Sequence, residues 1–197
     1  YYLDNLKFIM KQDIKDQIEE SIKIKQSFSD ELIESIESAA NELVNCLEND
    51  GKVLVCGNGG SAADSQHLTA ELVSKYRRER KGLPVISLTT NTSTLTAIGN
   101  DYDFSRVFAR QVEALAKDGD VLFAISTSGN SKDVVEAIKE AKKYGVLVIG
   151  LVGEDGGEMD GMCDVMLKVP SKDTPRIQES HILIIHIICD LVEQAFV

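Results

Sequence analysis

Two short stretches of this sequence gather groups that bind anions. Ile125-Ser-Thr-Ser-Gly-Asn-Ser131 carries four hydroxyls (Ser126, Thr127, Ser128, Ser131), one side-chain amide and a run of backbone N–H groups, between an apolar run and a helical pattern. N–H groups converging on a helix N-terminus form a phosphate cradle without a lysine. The Gly-Lys-Ser/Thr of a nucleotide loop is absent, so the expected ligand is a phosphorylated small molecule rather than a nucleoside triphosphate. The competing reading is a hydroxyl-rich cap that serves only the helix. The second stretch is Cys56-Gly-Asn-Gly-Gly-Ser-Ala-Ala63. Its Gly57-x-Gly59-x-x-Ala62 spacing imitates a dinucleotide fingerprint, which also needs an acid about 20 residues on. The next apolar run ends Leu88-Thr-Thr-Asn91 without one, so a nicotinamide dinucleotide is not expected.

The titratable candidates fall in two helical segments. His67 and Glu71 are four apart and share a helix face, where they can ligate a metal together or act as a base and its partner. The last segment supplies Gln178, Glu179, His181 and His186 in Arg176-Ile-Gln-Glu-Ser-His-Ile-Leu-Ile-Ile-His186. His186 is flanked by isoleucines and needs a partner, because an unsatisfied buried polar group costs on the order of 1–3 kcal/mol. His181 and His186 lie about 140° apart on an ideal helix, and spacing does not choose between them. All three histidines of the chain sit in these two segments.

These residues need a scaffold. Lys52–Gly57, Pro84–Leu88, Asp120–Ile125, Val146–Gly150 and the weaker Val165–Val169 are short apolar runs that read as strands. Helical stretches lie between them, such as Asp133–Tyr144 with Val134, Ala137, Ile138 and Ala141 on one stripe and Gly145 as the stop. Alternating strands and helices give an α/β fold: a doubly wound, five-stranded parallel sheet flanked by helices. Ligands of such sheets bind at the carboxyl ends of the strands, where both Gly/Ser stretches fall. The chain reads as one domain, with residues 1–50 a helical extension and 51–197 the α/β core. In the extension Ile14, Ile18 and Ile22, and then Leu32, Ile36, Ala39, Ala40, Leu43 and Leu47, mark two amphipathic helices. They bury their stripes either on the domain or on another subunit. The segment from about Pro175 to Phe196 reads as one long, nearly all-apolar helix.

The 197 residues carry 21 Lys+Arg against 32 Asp+Glu, a net charge of -11. So acidic a chain is not a general nucleic-acid binder, which needs clustered cations. Twelve acidic and five basic side chains lie in the first fifty residues, so most of the excess belongs to the extension rather than to the site. Lys75-Tyr-Arg-Arg-Glu-Arg-Lys81 stands out against this background as a solvated helix end or as a place where Lys75 or a neighbouring Arg faces an anionic ligand. No apolar run reaches membrane-spanning length and no signal-peptide pattern appears. Cys46, Cys56, Cys163 and Cys189 form no C-x-x-C pair and read as small hydrophobes in a reducing, cytoplasmic setting.

The loop Ile125–Ser131 resembles the signature of sugar isomerase (SIS) domains, phosphosugar binders with flavodoxin-like strand order. Cys56-Gly-Asn-Gly-Gly-Ser61, Gln66-His-Leu-Thr-Ala-Glu71, Gly99-Asn-Asp101 and Arg176-Ile-Gln-Glu179 with His186 together resemble the phosphoheptose isomerase family, over nearly the whole chain. The resemblance implies conversion of D-sedoheptulose 7-phosphate to D-glycero-D-manno-heptose 7-phosphate. That is the first step towards nucleotide-activated heptose for lipopolysaccharide, capsule or S-layer glycans. It implies a cytoplasmic homotetramer whose N-terminal helices pack in the oligomer and whose sites lie between subunits. It assigns zinc to His67, Glu71, Gln178 and His186, proton transfer to Glu71 and His186, and substrate to Asn58, Gly59, Gly60, Glu71, Asn100, Asp101, Ser126, Thr127, Ser128, Ser131 and Gln178. Pro175 stands where some relatives carry Asp. The chemistry is consistent with these assignments: one base can move a proton between adjacent carbons of a cis-enediol, and His, His, Glu and an amide oxygen suit zinc or a similar ion. A carboxylate serves poorly as tight ligand and free base at once. The alternative is a catalytically silent SIS protein acting as a phosphosugar sensor or protein-binding module; another is an isomerase of a shorter phosphosugar.

Overall fold

The computed structural model describes the backbone of residues 2–197 and the side chains from Met10 onward. Two helices lead, α1 (Tyr2–Gln26) and α2 (Asp30–Glu48). Ser29 starts α2 as its N-cap, its side chain accepting from the Leu32 N–H, with Asp30 and Glu31 in the first turn where the helix dipole favours acids. Five strands follow: β1 (Val53–Cys56), β2 (Val85–Ser87), β3 (Val121–Ser126), β4 (Leu147–Val152) and β5 (Val165–Lys168). The helices between and after them are α3 (Gly60–Val73), α4 (Thr92–Asp101), α5 (Ala109–Leu115), α6 (Lys132–Lys142) and α7 (Thr174–Ala195), with two single 3₁₀ turns. All strands are parallel, as the alternating pattern predicts, and their order is β2-β1-β3-β4-β5, the flavodoxin-like order that the resemblance implies. β4 runs two residues past the expected Gly150, pairing Val152 with Ser126, and β2 has only three residues.

Alternation along the strands divides the core into two layers. Val53, Val55, Val121, Phe123 and Ile125 pack with Leu43 of α2, Leu68 and Leu72 of α3 and Ile184 and Ile188 of α7. Leu54, Cys56, Leu122 and Ala124 pack on the other face with Val112 of α5 and Val134 and Ile138 of α6. Because both faces are covered, every residue of β1 and β3 is buried. The strand order reverses between β1 and β3, so a crevice opens at their carboxyl ends. Both Gly/Ser loops lead out of that crevice.

The leading helices differ. The apolar stripe of α2 is buried on the domain. On α1, Ile14, Ile18 and Ile22 stay 56%, 55% and 48% exposed, and the helix is tied to α7 by polar contacts: Arg176 Nη1 donates to the Gln17 carbonyl and Ser21 Oγ to Glu179. Packing on its own domain therefore does not bury the α1 stripe. Cys46, Cys56 and Cys189 are buried, as read, whereas Cys163 is only partly buried. Burial pushes the thiols of Cys46 up to about 11 and Cys189 up to about 12, which leaves them unreactive.

Candidate active site

The two loops are shaped by glycines that nothing larger could replace. Gly59 sits at φ +55 and opens α3. Gly129 sits at φ +67, and a Cβ there would lie 1.9 Å from the Gly156 carbonyl oxygen. That contact folds the loop after β3 against the loop after β4. Ser126 and Ser131 hydroxyls meet at 3.1 Å, and Ser131 is the N-cap residue of α6 without using its side chain as a cap. Its hydroxyl is therefore not consumed by the helix. Asn130 is consumed, since its amide donates to the Ser128 carbonyl and accepts from the Glu158 N–H. Thr127 and Ser128 open into a cleft of about 210 Å³ that Thr174 and Lys172 also line. Lys172, which lines this cleft, is paired with Asp155 at 3.1 Å.

The Lys75–Lys81 cluster is solvated in part, as expected, with Lys75, Arg77, Glu79 and Lys81 exposed, but it is more than a solvated end. It wraps the buried carboxylate of Glu193, which accepts N–H bonds from Tyr76, Arg77 and Arg78 at 2.7–2.8 Å. The Arg80 side chain is fully buried beside Glu193 and donates to the Glu71, Ser74 and Lys81 carbonyls. Burial pushes the Glu193 carboxyl up, and the three N–H donors and Arg80 outweigh it, leaving the group below its usual range. Lys75 points outward to Glu79 at 2.7 Å. The anion these cations serve is part of the chain.

Helices α3 and α7 meet along a seam. His67 Nε2 lies 3.1 Å from Glu71 Oε1 and 3.1 Å from His186 Nε2. One ligand atom from each of the three residues falls within 4.8 Å of the others. A neutral imidazole has one N–H and one lone pair, and a carboxylate only accepts. Three such atoms facing one point are short of protons to share, and a divalent cation would satisfy them all. The donor set suits zinc or a similar borderline ion. The Tyr76 ring stacks on His186 at 5.6 Å, held by the Glu193 contact of its own N–H. His181 is a different kind of residue: fully buried, its Nε2 is 3.2 Å from the Val152 carbonyl, and burial pushes it down to about 4. The histidine that joins His67 is His186.

Gln178 sits at the other end of the seam. A Cβ on Gly60 would lie 2.4 Å from its Nε2, so the amide lies over the N-terminus of α3. Eight residues of helix separate it from His186, about 12 Å along the axis. Within one chain the structure brings three of the four proposed ligands together and Gln178 to Gly60. Asn100 and Asp101 lie exposed at the end of α4 and hydrogen-bond to one another. Asn58 donates from Nδ2 to Asp133 at 2.9 Å, which crosses the crevice from the β1 loop to the first turn of α6. Asp133 and Tyr76 escaped the sequence reading. Asp133 follows the serine loop by two residues and looks like an ordinary first-turn acid, while Tyr76 is hidden among cations. Asp64, one turn before His67, also escaped it. Burial pushes its carboxyl up to about 6 against the pull of His67.

Comparison with known proteins decides the family. Residues 17–153 match the SIS domain model. A phosphoheptose isomerase from Clostridium acetobutylicum is 54% identical over 187 residues, 94% of this chain and 95% of its own. The chain belongs to the phosphoheptose isomerase family of SIS-domain proteins. Solved phosphoheptose isomerases superpose on it closely. That of Neisseria gonorrhoeae has a TM-score of 0.88 at 48% identity, with 94% of this chain and 99% of that one covered. That of Francisella tularensis has a TM-score of 0.91 at 43% identity, covering 94% and 98%. Members of the phosphoheptose isomerase family are aldose–ketose isomerases, and the silent-binder alternative is not favoured. No described helix is long and apolar enough to cross a membrane.

Proposed function

We propose that this protein interconverts D-sedoheptulose 7-phosphate and D-glycero-D-manno-heptose 7-phosphate in the cytoplasm, feeding nucleotide-activated heptose synthesis. The observation that carries the reading is the convergence of His67, Glu71 and His186 in a chain of this family. Ser126, Thr127, Ser128 and Ser131, with the N–H groups at the start of α6, hold the phosphate. Asn58, Gly59, Gly60, Asn100, Asp101 and Gln178 hold the sugar. Glu71 takes the proton from carbon 1 of the ketose, leaving a cis-enediol, and returns it to carbon 2 on the same face. His186 passes a proton from the oxygen on carbon 1 to the oxygen on carbon 2. The new carbonyl is then at carbon 1, and no atom is gained or lost. Zinc held by His67, Glu71 and His186, with Gln178 as fourth donor, would supply a Lewis acid that polarises the carbonyl, and the base role of Glu71 would then require a labile ion or a carboxylate that swings off it.

A homotetramer with sites between subunits reconciles two features. Gln178 stands about 12 Å from His186 in its own chain, so a fourth ligand comes from a neighbour. The exposed α1 stripe offers a surface for that assembly. The test is a coupled assay for the aldose with zinc supplied. Glu71→Gln and His186→Gln should keep wild-type circular dichroism and lose at least a hundredfold in turnover, the usual weight of a general acid or base. Full activity in both variants would overturn the assignment.

A further inference from the structure

Asp133 is only 4% exposed, lies in the first turn of α6 and leaves Oδ2 buried without a hydrogen-bond partner. A carboxylate this close behind a phosphate cradle repels the ligand, and an unpartnered buried oxygen is itself costly. A first-turn acid that served only the helix dipole would sit equally well in water. Its position has another consequence. Oδ1 accepts from the Val134 N–H at 3.0 Å and from Asn58 Nδ2 at 2.9 Å. An oxygen already accepting two N–H bonds carries no proton, so it is an acceptor in either protonation state of the acid. The Asn58 NH2 must therefore face Asp133. The other polar atom of that amide, Oδ1, makes no hydrogen bond among the described residues.

We propose that Asp133 is a positioning residue that holds the Asn58 amide so that its carbonyl oxygen, not its NH2, meets the substrate. The inference rests on the isomerase reading and sharpens it. An acceptor at Asn58 recognises a hydroxyl of the sugar and rejects a phosphate oxygen. The phosphate is thereby left to the serine loop, which sets which way round the phosphosugar lies in the crevice between β1 and β3.

The test removes the acceptor and then restores it. Asp133→Ala frees Asn58 to turn over, so KM for the ketose should rise about tenfold, the worth of one hydrogen bond, with kcat changed less. Asn58→Asp sets carboxylate against carboxylate and should be worse. Asp133→Asn keeps an oxygen in the place of Oδ1 that accepts from both the Val134 N–H and the Asn58 NH2, and should hold KM within about threefold of wild type, below the weight of a single hydrogen bond. A readout independent of turnover is the Asn58 side-chain NH2 signal in an ¹⁵N-correlated NMR spectrum, assigned by its loss in Asn58→Asp. In the free protein one of its protons should be shifted downfield, and the shift should vanish in Asp133→Ala. A KM unchanged in Asp133→Ala, an Asp133→Asn variant as impaired as Asp133→Ala, or an Asn58 signal indifferent to Asp133 overturns the positioning role. Wild type without turnover but with the shifted signal would instead overturn the isomerase reading and leave the Asn58–Asp133 contact standing.

Discussion

A single imidazole nitrogen, His67 Nε2, is 3.1 Å from both a carboxylate oxygen and a second imidazole nitrogen. That crowding separates the histidines. His186 shares a point with His67, while His181 is fully buried in the core and contacts a strand carbonyl. Spacing along α7 left both open, because either can turn towards α3 once the helix is rotated. The difference has a measurable sign. The His181 ring titrates near 4 folded against about 6.5 unfolded. Its contribution is present above pH 6.5 and is lost as pH falls towards 4. From pH 7 to pH 5 the wild type should lose on the order of 2 kcal/mol from this group. His181→Gln, which keeps a donor for Val152, should not lose it. Urea midpoints at the two pH values measure the difference, and the raised acid Asp64, common to both proteins, cancels. Equal pH slopes would contradict the buried, neutral assignment.

At the scale of elements, the strands, the long last helix and the loops at strand ends were legible in the sequence. Val53–Cys56 and Val121–Ser126 are apolar on both faces, and glycine or a cluster of turn residues bounds them. The segment after α3 was not legible. Its seven residues look like a solvated basic patch because their partner, Glu193, is more than a hundred residues away on α7. Composition counts charges and is blind to a buried carboxylate that takes three backbone N–H bonds. This clamp carries Tyr76 onto His186. Glu193→Gln leaves Arg80 buried without its counter-charge and should cost on the order of 3 kcal/mol, read as a lowered melting temperature. Turnover should fall too at temperatures where the variant is folded, since the Tyr76 ring is released. A variant as stable as wild type would show that the clamp is dispensable.

At the scale of the whole molecule, the charge of -11 opposes general nucleic-acid binding on electrostatic grounds and leaves an anionic sugar open. The site needs no basic surface when hydroxyls, N–H groups and a helix N-terminus meet the phosphate. What one chain does not supply is the company of Gln178 for the His67 cluster, or cover for Ile14, Ile18 and Ile22. The proposed homotetramer would answer both. Ile18→Lys should shift the light-scattering mass below that of the wild-type assembly and reduce turnover, although the His67 cluster is untouched. An unchanged mass with full turnover would remove α1 from the interface. The most direct measurement of the central claim follows sedoheptulose 7-phosphate in D2O by NMR. The account predicts that wild type produces the aldose, with solvent deuterium at carbon 2 in the fraction of turnovers in which the Glu71 carboxyl exchanges its proton before returning it, and that Glu71→Gln produces none. Absence of conversion by the folded wild-type protein, or equal conversion by Glu71→Gln, would contradict it.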